Sequence, residues 1–255
     1  MNKFLKNKSS IEYKSSKKED EARENLSQLL KNNFIPDDQI LGNLGLFLDS
    51  KNLSRILLME YLFRQTIGVH GDIMEFGCRW GQNVALFSAL RGIFEPFNRH
   101  KKIIAFDTFS GFPKVHKKDG THDMMIKNAL FTHKNHHEFL EKTLKAHEEL
   151  NPLNHLKKFE IVKGDAIKEV PKYLKNNPHT IISLAFFDFD IYEPTKKVLE
   201  YIKPRLVKGS IIAFDELNDP DAPGETLALM ETIGLNNVEL KKFPYASRVS
   251  YFKFT

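Results

Sequence analysis

The sequence predicts an α/β fold, a doubly wound seven-stranded and mostly parallel sheet with an N-terminal helical extension. Two observations support this class. Five short apolar segments alternate with helical stretches after residue 70, and two further strand-like segments separated by a turn follow them. Near-continuous apolar runs are expected of parallel strands that are buried on both faces. The final pair is expected to close one edge of the sheet as antiparallel strands.

The elements of this sheet follow from the hydrophobic pattern. Strands are expected at 72–76, 102–106, 159–163, 181–187 and 210–214, and helices at 82–94, 136–150, 167–175, 194–203 and 224–234. The closing pair begins near Val238 and Arg248, with Pro244 in the turn between them.

The chain divides into three regions and an insertion. Residues 1–18 form a basic tail that we expect to be disordered, 19–69 a helical and lid region, and 70–255 the main domain, with a long insertion at 111–158. Apolar positions at helical spacing predict helices at 19–31 and 52–67. The apolar segment 42–47 between them is expected to be a mobile loop that covers the site, with simple packing as the alternative.

The net charge of +5 is confined to the tail. Residues 1–18 hold six lysines and one acid, and the remaining chain has 32 basic and 32 acidic residues. A neutral domain argues against nucleic acid as the main partner. The sequence has no apolar run of membrane-spanning length, no secretory signal and one cysteine, Cys78. We therefore expect a cytoplasmic protein without a membrane span.

The segment from Ile73 to Gly81 is the central motif of the chain. It reaches from a buried strand through a turn with Gly77 and Gly81 into a helix. Glycine permits a tight turn or a close approach to a ligand, and the helix start offers free N–H groups. Glu75 disfavours a pyrophosphate and suits a ligand with a cationic ammonium. Cys78 is interpreted as a small turn residue, with a nucleophile as the weaker alternative.

An acidic residue lies at the end of each of the five predicted strands, so these residues should lie along one edge of the sheet. Helix capping is the alternative explanation for each of them. The acids are Glu75, Asp107, Asp165, Asp188 with Asp190, and Asp215 with Glu216. Asp107 is placed to bind ribose hydroxyls, as in NAD enzymes too, and the adjacent Thr108 is a further candidate for cofactor binding. Asp165 and the Ala166 N–H are placed at an adenine edge.

Three of the carboxylates at the ends of strands 4 and 5 suggest a metal site, namely Asp188, Asp215 and Glu216. Grouped carboxylate oxygens suit Mg²⁺, which would lower the pKa of a substrate hydroxyl. Asp190, together with Asp188, is predicted to act in catalysis, with Asp190 or a metal-held alkoxide handling the proton.

The insertion at 111–158 carries seven of the ten histidines in the chain. A connection of this length on the ligand side of a sheet is usually functional. Their spacings match no standard zinc pattern, and cysteine ligands are absent from the insertion. Substrate contacts or an interface are the favoured roles.

Several motifs together resemble the macrocin O-methyltransferase (TylF/MycF-like) family of class I S-adenosylmethionine (SAM) methyltransferases. They are Glu75-Phe-Gly-Cys-Arg-Trp-Gly81, Phe106-Asp-Thr-Phe-Ser-Gly-Phe-Pro113, Lys163-Gly-Asp165, Asp188-Phe-Asp-Ile-Tyr-Glu-Pro-Thr195 and Asp215-Glu216. The resemblance implies a Rossmann-like fold, SAM and Mg²⁺ as cofactors, and methylation of hydroxyl groups, notably on sugars. It places SAM against Glu75, Gly77, Cys78, Arg79, Gly81, Asp107, Thr108, Asp165, Ala166 and Asp188.

Two departures from the family pattern put the substrate in question. Glu216-Leu217 replaces Asp-Tyr after strand 5, and Phe189 replaces glycine between the two aspartates. The expected function is O-methylation of a small polyhydroxylated substrate, such as a sugar, a glycan precursor or a glycosylated metabolite. Alternatives are an RNA or protein methyltransferase, a non-catalytic SAM-binding subunit and an NAD-dependent oxidoreductase. A homodimer is possible for relatives of this kind.

Overall fold

The computed structural model describes residues 15–255. The predicted disordered tail lies outside the described residues except for its last four positions. Helix α1 (Lys17–Lys31) already includes the last two lysines of that tail, and it begins at an N-cap formed by Ser16. The Ser16 hydroxyl accepts from the Glu19 N–H while the Glu19 carboxylate accepts from the Ser16 N–H, so the first turn is capped from both sides.

Seven strands form one sheet in the order β3-β2-β1-β4-β5-β7-β6. The strands are β1 (Asp72–Phe76), β2 (Ile103–Asp107), β3 (Phe159–Lys163), β4 (Ile182–Phe187), β5 (Leu206–Phe214), β6 (Lys241–Phe243) and β7 (Ala246–Lys253). Strands β1 to β5 are parallel, and β7 is antiparallel to both β5 and β6. The predicted fold class is confirmed, including the antiparallel pair at the edge.

Helices cover both faces of this sheet. They are α2 (Ser50–Gln65), α3 (Gln82–Phe94), α4 (His136–Leu150), α5 (Ala166–Asn176), α6 (Tyr192–Ile202) and α7 (Gly224–Thr232). Alternate strand residues point to opposite faces. Ile73 and Ile103 pack with α2, α3 and α4, whereas Met74 and Ile104 pack with α5, α6 and α7.

Two elements differ from the sequence-based expectation. Strand β5 begins four residues earlier than predicted, at Leu206. Its pairing with β4 shifts register between Ile182 and Leu184, and this shift lets β5 pair with β4 on both sides of Gly209. The segment 42–47, predicted as a loop, lies in a 3-10 helix, Leu41–Phe47.

A row of phenylalanines crosses the sheet at the carboxyl ends of its parallel strands. Parallel register aligns Phe106, Phe76, Phe187 and Phe214 on neighbouring strands, and Phe252 of β7 continues the row. Successive ring centroids lie 5.3, 4.9, 5.0 and 6.5 Å apart, and all five side chains are fully buried. This phenylalanine row forms the apolar layer directly beneath the acidic strand ends.

The N-terminal segment 17–48 packs little against the rest of the described chain. Helix α1 buries none of its residues. Large apolar side chains are exposed along the segment: Leu29, Leu30, Phe34, Leu41, Leu44, Leu46 and Leu48. No helix within residues 15–255 has the length and apolarity that a membrane span requires.

Candidate active site

The acids predicted from the sequence stand along the carboxyl edge of the sheet. Glu75 lies within β1, Asp107 ends β2, and Asp165, Asp188 and Asp215 follow β3, β4 and β5. The parallel register brings these positions to one edge, because Phe76 pairs with Phe106 and Phe187. This is where open α/β sheets bind their ligands.

Glu75 has one carboxylate oxygen with a partner and one without. Its Oε1 accepts from Asn83 Nδ2 at 2.8 Å, and Oε2 is buried with no hydrogen-bond partner. Burial raises the pKa of Glu75 to about 7, against the Asn83 hydrogen bond and the Arg55 charge, which lower it. An unsatisfied buried carboxylate oxygen is costly unless a ligand donates to it.

The turn after β1 depends on glycine at Gly77. Its φ is 95°, and an added Cβ would lie 2.0 Å from the carbonyl oxygen of Asp188. The turn can therefore lie against the end of β4 only without a side chain. Gly81, with φ 81°, begins α3 in the left-handed conformation.

Asp107 connects two loops through its carboxylate. Its Oδ2 accepts from the Arg79 N–H at 2.8 Å and its Oδ1 from the Phe109 N–H at 2.6 Å. Burial raises the pKa of Asp107, while these two bonds lower it. The next residue, Thr108, donates to the Gly111 carbonyl at 2.7 Å and closes the turn. Asp107 thus fixes the glycine turn of β1 beside the end of β2.

Asp165 caps the helix that follows it. Its Oδ1 accepts from the Ile167 N–H at 3.1 Å at the start of α5, and Ala166 is buried as the first residue of that helix. The capping alternative therefore describes Asp165 in this structure, with its second oxygen open to further contacts.

The predicted metal group of Asp188, Asp215 and Glu216 is not assembled. Within residues 15–255 no three or more His, Cys, Asp or Glu side chains are arranged to hold a metal ion. Arginines pair with all three of these carboxylates. Arg55 of α2 binds Asp188 at 3.1 Å through Nη2 and Asp215 through Nη1, while Arg248 of β7 binds Glu216.

Asp190 has a left-handed backbone conformation, which most residues avoid. Its φ is 61°, and its side chain is buried. Burial and the charge of Asp215 raise the pKa of Asp190 to about 7, against the charges of Arg248, Arg79 and Arg55. Burial and Asp215 also raise the pKa of Asp188, against the Arg55 charge. Perturbed carboxylates of this kind mark functional sites.

Cys78 is a buried turn residue. Burial, together with the charges of Asp107 and Glu75, raises the pKa of its thiol well above the usual value. A nucleophilic cysteine needs the opposite shift, so this position supports the interpretation as a small packing residue.

The long insertion folds over the loop of β1. His136, the first residue of α4, is buried, and its Nε2 lies 3.2 Å from the Trp80 carbonyl oxygen. Its ring meets the half-exposed Trp80 edge-on at 4.8 Å. His136 thus contacts the turn after β1, which the sequence predicts to bind the cofactor.

Besides Arg248, three polar residues of the site were not identified from the sequence. They are Arg55, Asn83 and Glu225, which contact Asp188, Glu75 and the Phe189 N–H respectively. Asn83 had a usable signal, because it lies in the first turn of the helix directly after the glycine loop. Arg55 and Glu225 come from distant segments without a motif.

The strand order, with its antiparallel closing pair, is that of the class I methyltransferase fold. The solved O-methyltransferase NovP shares the fold, with a TM-score of 0.59 at 16% identity over 79% of each chain. No protein-family model and no curated protein sequence matches the chain.

The particular relationship comes from two structures of CalS11. One, a calicheamicin methyltransferase, matches with a TM-score of 0.93 and 40% identity over 95% of both chains. The other, an apo structure of this TDP-rhamnose 3'-O-methyltransferase, matches with a TM-score of 0.85 and 38% identity over 95% of this chain and 96% of CalS11. The chain belongs to the class I SAM-dependent O-methyltransferases. This result argues against the oxidoreductase alternative.

Proposed function

We propose that this enzyme methylates a hydroxyl group of a sugar that is carried on a nucleoside diphosphate. The observation that carries the proposal is the 38% identity, over 95% of this chain, to a TDP-rhamnose 3'-O-methyltransferase. A substrate of this kind agrees with the polyhydroxylated small molecule expected from the sequence.

The residues of the glycine loop would hold the cofactor. Glu75 Oε2, buried and without a partner, fits the ammonium of SAM, and Gly77 leaves room for close approach of a ligand. Cys78, Arg79 and Gly81 would supply backbone contacts. Bound SAM supplies an electrophilic methyl group on a sulfonium.

The ribose and the adenine would lie along the next two strand ends. Asp107 with Thr108 would accept the ribose hydroxyls, using the lone pairs that the Arg79 and Phe109 N–H groups leave open. Asp165 and the Ala166 N–H would meet the adenine edge. Asp188 lies against Gly77 and would close the methionine end of the pocket.

Asp190 is the group we assign as the base. With its pKa at about 7, a good share of Asp190 is ionised near neutral pH, and it can accept the proton of the sugar hydroxyl. Asp190 would take up the proton that the sugar oxygen loses when it receives the methyl group, and S-adenosylhomocysteine would be the leaving product. Asp188, held by Arg55, would orient the reacting hydroxyl.

The residue types at the strand ends suit Mg²⁺, but their arrangement does not fit it. Arg55 holds Asp188 and Asp215, and Arg248 holds Glu216, so the carboxylates already have cationic partners. The Mg²⁺ requirement, predicted from the strand-end carboxylates and from the sequence resemblance, stays a prediction.

We further propose that the region 19–69 acts as an extension of the domain 70–255 and joins two copies of the chain. The exposed apolar side chains between Leu29 and Leu48 support a homodimer contact. Such an extension also lies beside the site, because α2 supplies Arg55. Cytoplasmic location remains a prediction from the sequence.

A direct assay tests the proposed function. The full chain is incubated with SAM that is isotope-labelled at the methyl group and with TDP-rhamnose, free rhamnose, bulk RNA or cell protein, and products are followed by mass spectrometry. We expect one added methyl group on the nucleotide sugar. Asp190→Asn should abolish turnover with SAM affinity retained, and Glu200→Gln, an exposed control on α6, should behave like the wild type.

The other outcomes identify the remaining alternatives. Label appearing in RNA or protein alone would replace the proposal with a macromolecular methyltransferase. SAM binding without turnover on any acceptor would support a non-catalytic subunit. Methylation of free rhamnose as efficiently as TDP-rhamnose would remove the nucleotide from the proposal.

A further inference from the structure

Glu225 is a buried carboxylate that no motif in the sequence singled out. It is the second residue of α7, and its side chain is fully buried. A buried acid far from bulk water needs hydrogen-bond donors or a positive charge to offset the loss of its hydration. The donors around Glu225 come from the two loops that carry the proposed base and its neighbours.

The carboxylate of Glu225 joins these two loops. Its Oε1 accepts from the Phe189 N–H at 3.0 Å, in the loop after β4, and its Oε2 accepts from the Glu216 N–H at 3.4 Å, in the loop after β5. The neighbouring Asp190 N–H favours the charged form of this carboxylate and lowers its pKa. One side chain thus fixes the backbone on both sides of the site.

The surroundings of Glu225 make its position costly. Burial and the charges of Asp190 and Asp215 raise its pKa. The backbone N–H groups and the N-terminus of α7 offset the cost of burying this carboxylate. The close approach also requires Gly224, since a Cβ there would lie 2.6 Å from the Tyr192 nitrogen.

A second buried acid holds the other end of the same turn. Asp119 of the insertion accepts from the Tyr192 N–H at 2.6 Å through Oδ1 and from the His116 N–H through Oδ2. Asp190 lies between the backbone held by Glu225 and the backbone held by Asp119. Its left-handed conformation, φ 61°, is the kind that persists only where the surroundings fix it.

We propose that Glu225 is a positioning residue, which holds the Asp190 turn and the Glu216 loop in the geometry that methyl transfer requires. This inference rests on the proposed function for its catalytic consequence. The hold on the backbone is independent of that function. Glu225 itself need not touch substrate or cofactor, because all its described hydrogen bonds go to backbone N–H groups.

Two variants and one control test the proposal. Glu225→Gln keeps the shape but offers one oxygen in place of two, so it cannot accept from both loops. Glu225→Asp keeps the charge but is one methylene shorter. Glu200→Gln, on the exposed face of α6, is the matched control.

The expected result is a split between turnover and binding. For Glu225→Gln, kcat should fall about 10–100-fold while the KM for the sugar and the Kd for SAM change less than about threefold. Glu225→Asp should lie between this variant and the wild type. Amide hydrogen exchange of peptides covering 188–191 and 215–218 should accelerate about tenfold in Glu225→Gln and remain unchanged in the control.

The exchange measurement separates the two proposals. Accelerated exchange at both loops, with no methyl transfer by the wild type, would retain the positioning role and reject the proposed function. Unchanged exchange and unchanged kcat in folded Glu225→Gln would overturn the positioning role. Equal loss of SAM affinity and kcat with exchange raised throughout the sheet would also overturn it. If Glu225→Gln does not fold, Glu225→Asp is judged by the same criteria.

Discussion

At the scale of single residues, Glu75 stands out because it keeps a buried carboxylate oxygen without a partner. In the folded chain its pKa is raised from 4.5 to about 7, so the folded state binds this proton more tightly than the unfolded state. The contribution of Glu75 to the free energy of unfolding therefore declines as the pH rises from about 4.5 to 7. The loss is on the order of 3 kcal/mol at most.

Glu75→Gln should remove this loss. We expect the variant to be more stable than the wild type at pH 8 and similar at pH 4.5, and to bind SAM at least about tenfold more weakly, because the ammonium loses its anionic partner. Urea unfolding at the two pH values and calorimetry with SAM measure both effects. If the free energies of unfolding of the two proteins changed equally with pH, the raised pKa would not belong to Glu75.

Arg55 neutralises two acids that would otherwise repel each other. Arg55→Met should destabilise the protein by about 3 kcal/mol, because Asp188 and Asp215 would lie together without a cation. Added Mg²⁺ should raise the thermal midpoint of the variant more than that of the wild type, since the open carboxylates suit the ion. Thermal unfolding with and without Mg²⁺ provides the measurement, and an equal response of the two proteins would contradict it.

At the scale of elements, the turn after β1 shows how closely two strand ends approach. Gly77→Ala combines an unfavourable left-handed conformation with a Cβ placed 2.0 Å from the Asp188 carbonyl oxygen. Gly68→Ala is the matched control, because Gly68 has φ 87° and open space around its Cβ position. The difference between the stability losses of the two variants measures the effect of the clash separately from that of the backbone conformation.

We expect Gly68→Ala to cost about 1–2 kcal/mol in unfolding free energy. Gly77→Ala should cost clearly more and abolish SAM binding, since the loop must move away from β4. Urea unfolding and calorimetry measure the two effects. Similar losses for both variants would mean that the turn relaxes without disturbing the site.

Much of this architecture could be predicted from the sequence, and its limits have a physical cause. Strands and the helices at 82–94 and 136–150 follow from local hydrophobic patterns, and the strand-end acids from parallel topology. Arg55 is 133 residues from Asp188 in the chain, and Glu225 is 36 residues from Phe189. Such pairings depend on how α2 and α7 pack on the sheet, which no local pattern specifies. For the same reason the sequence does not reveal that Arg55 and Arg248 pair with the carboxylates of the predicted metal group, which stays a prediction.

At the scale of the whole molecule, the N-terminal segment leaves apolar surface exposed. An isolated helix of 15 residues such as α1 is marginal in water, so a partner surface is expected to stabilise it. We expect a dimer in analytical ultracentrifugation. Phe34→Ser with Leu41→Ser should raise the dimer dissociation constant at least about tenfold.

The control for this prediction removes equal apolar exposure elsewhere. Phe97→Ser with Leu150→Ser changes two side chains that are 76% and 85% exposed, outside the N-terminal segment. This control should leave the dissociation constant unchanged. A monomeric wild type, or equal effects of the two double variants, would contradict a dimer through segment 17–48.

The position of β7 has a consequence for how the chain reaches its folded state during synthesis. This strand is the last of the seven to be made, yet it lies between β5 and β6 and brings Phe252 to the phenylalanine row. Until residue 253 has left the ribosome, β5 presents an unpaired apolar edge of the kind that invites aggregation. The nascent chain must therefore be protected from aggregation until β7 is available. A chain that ends shortly before β7 should be insoluble.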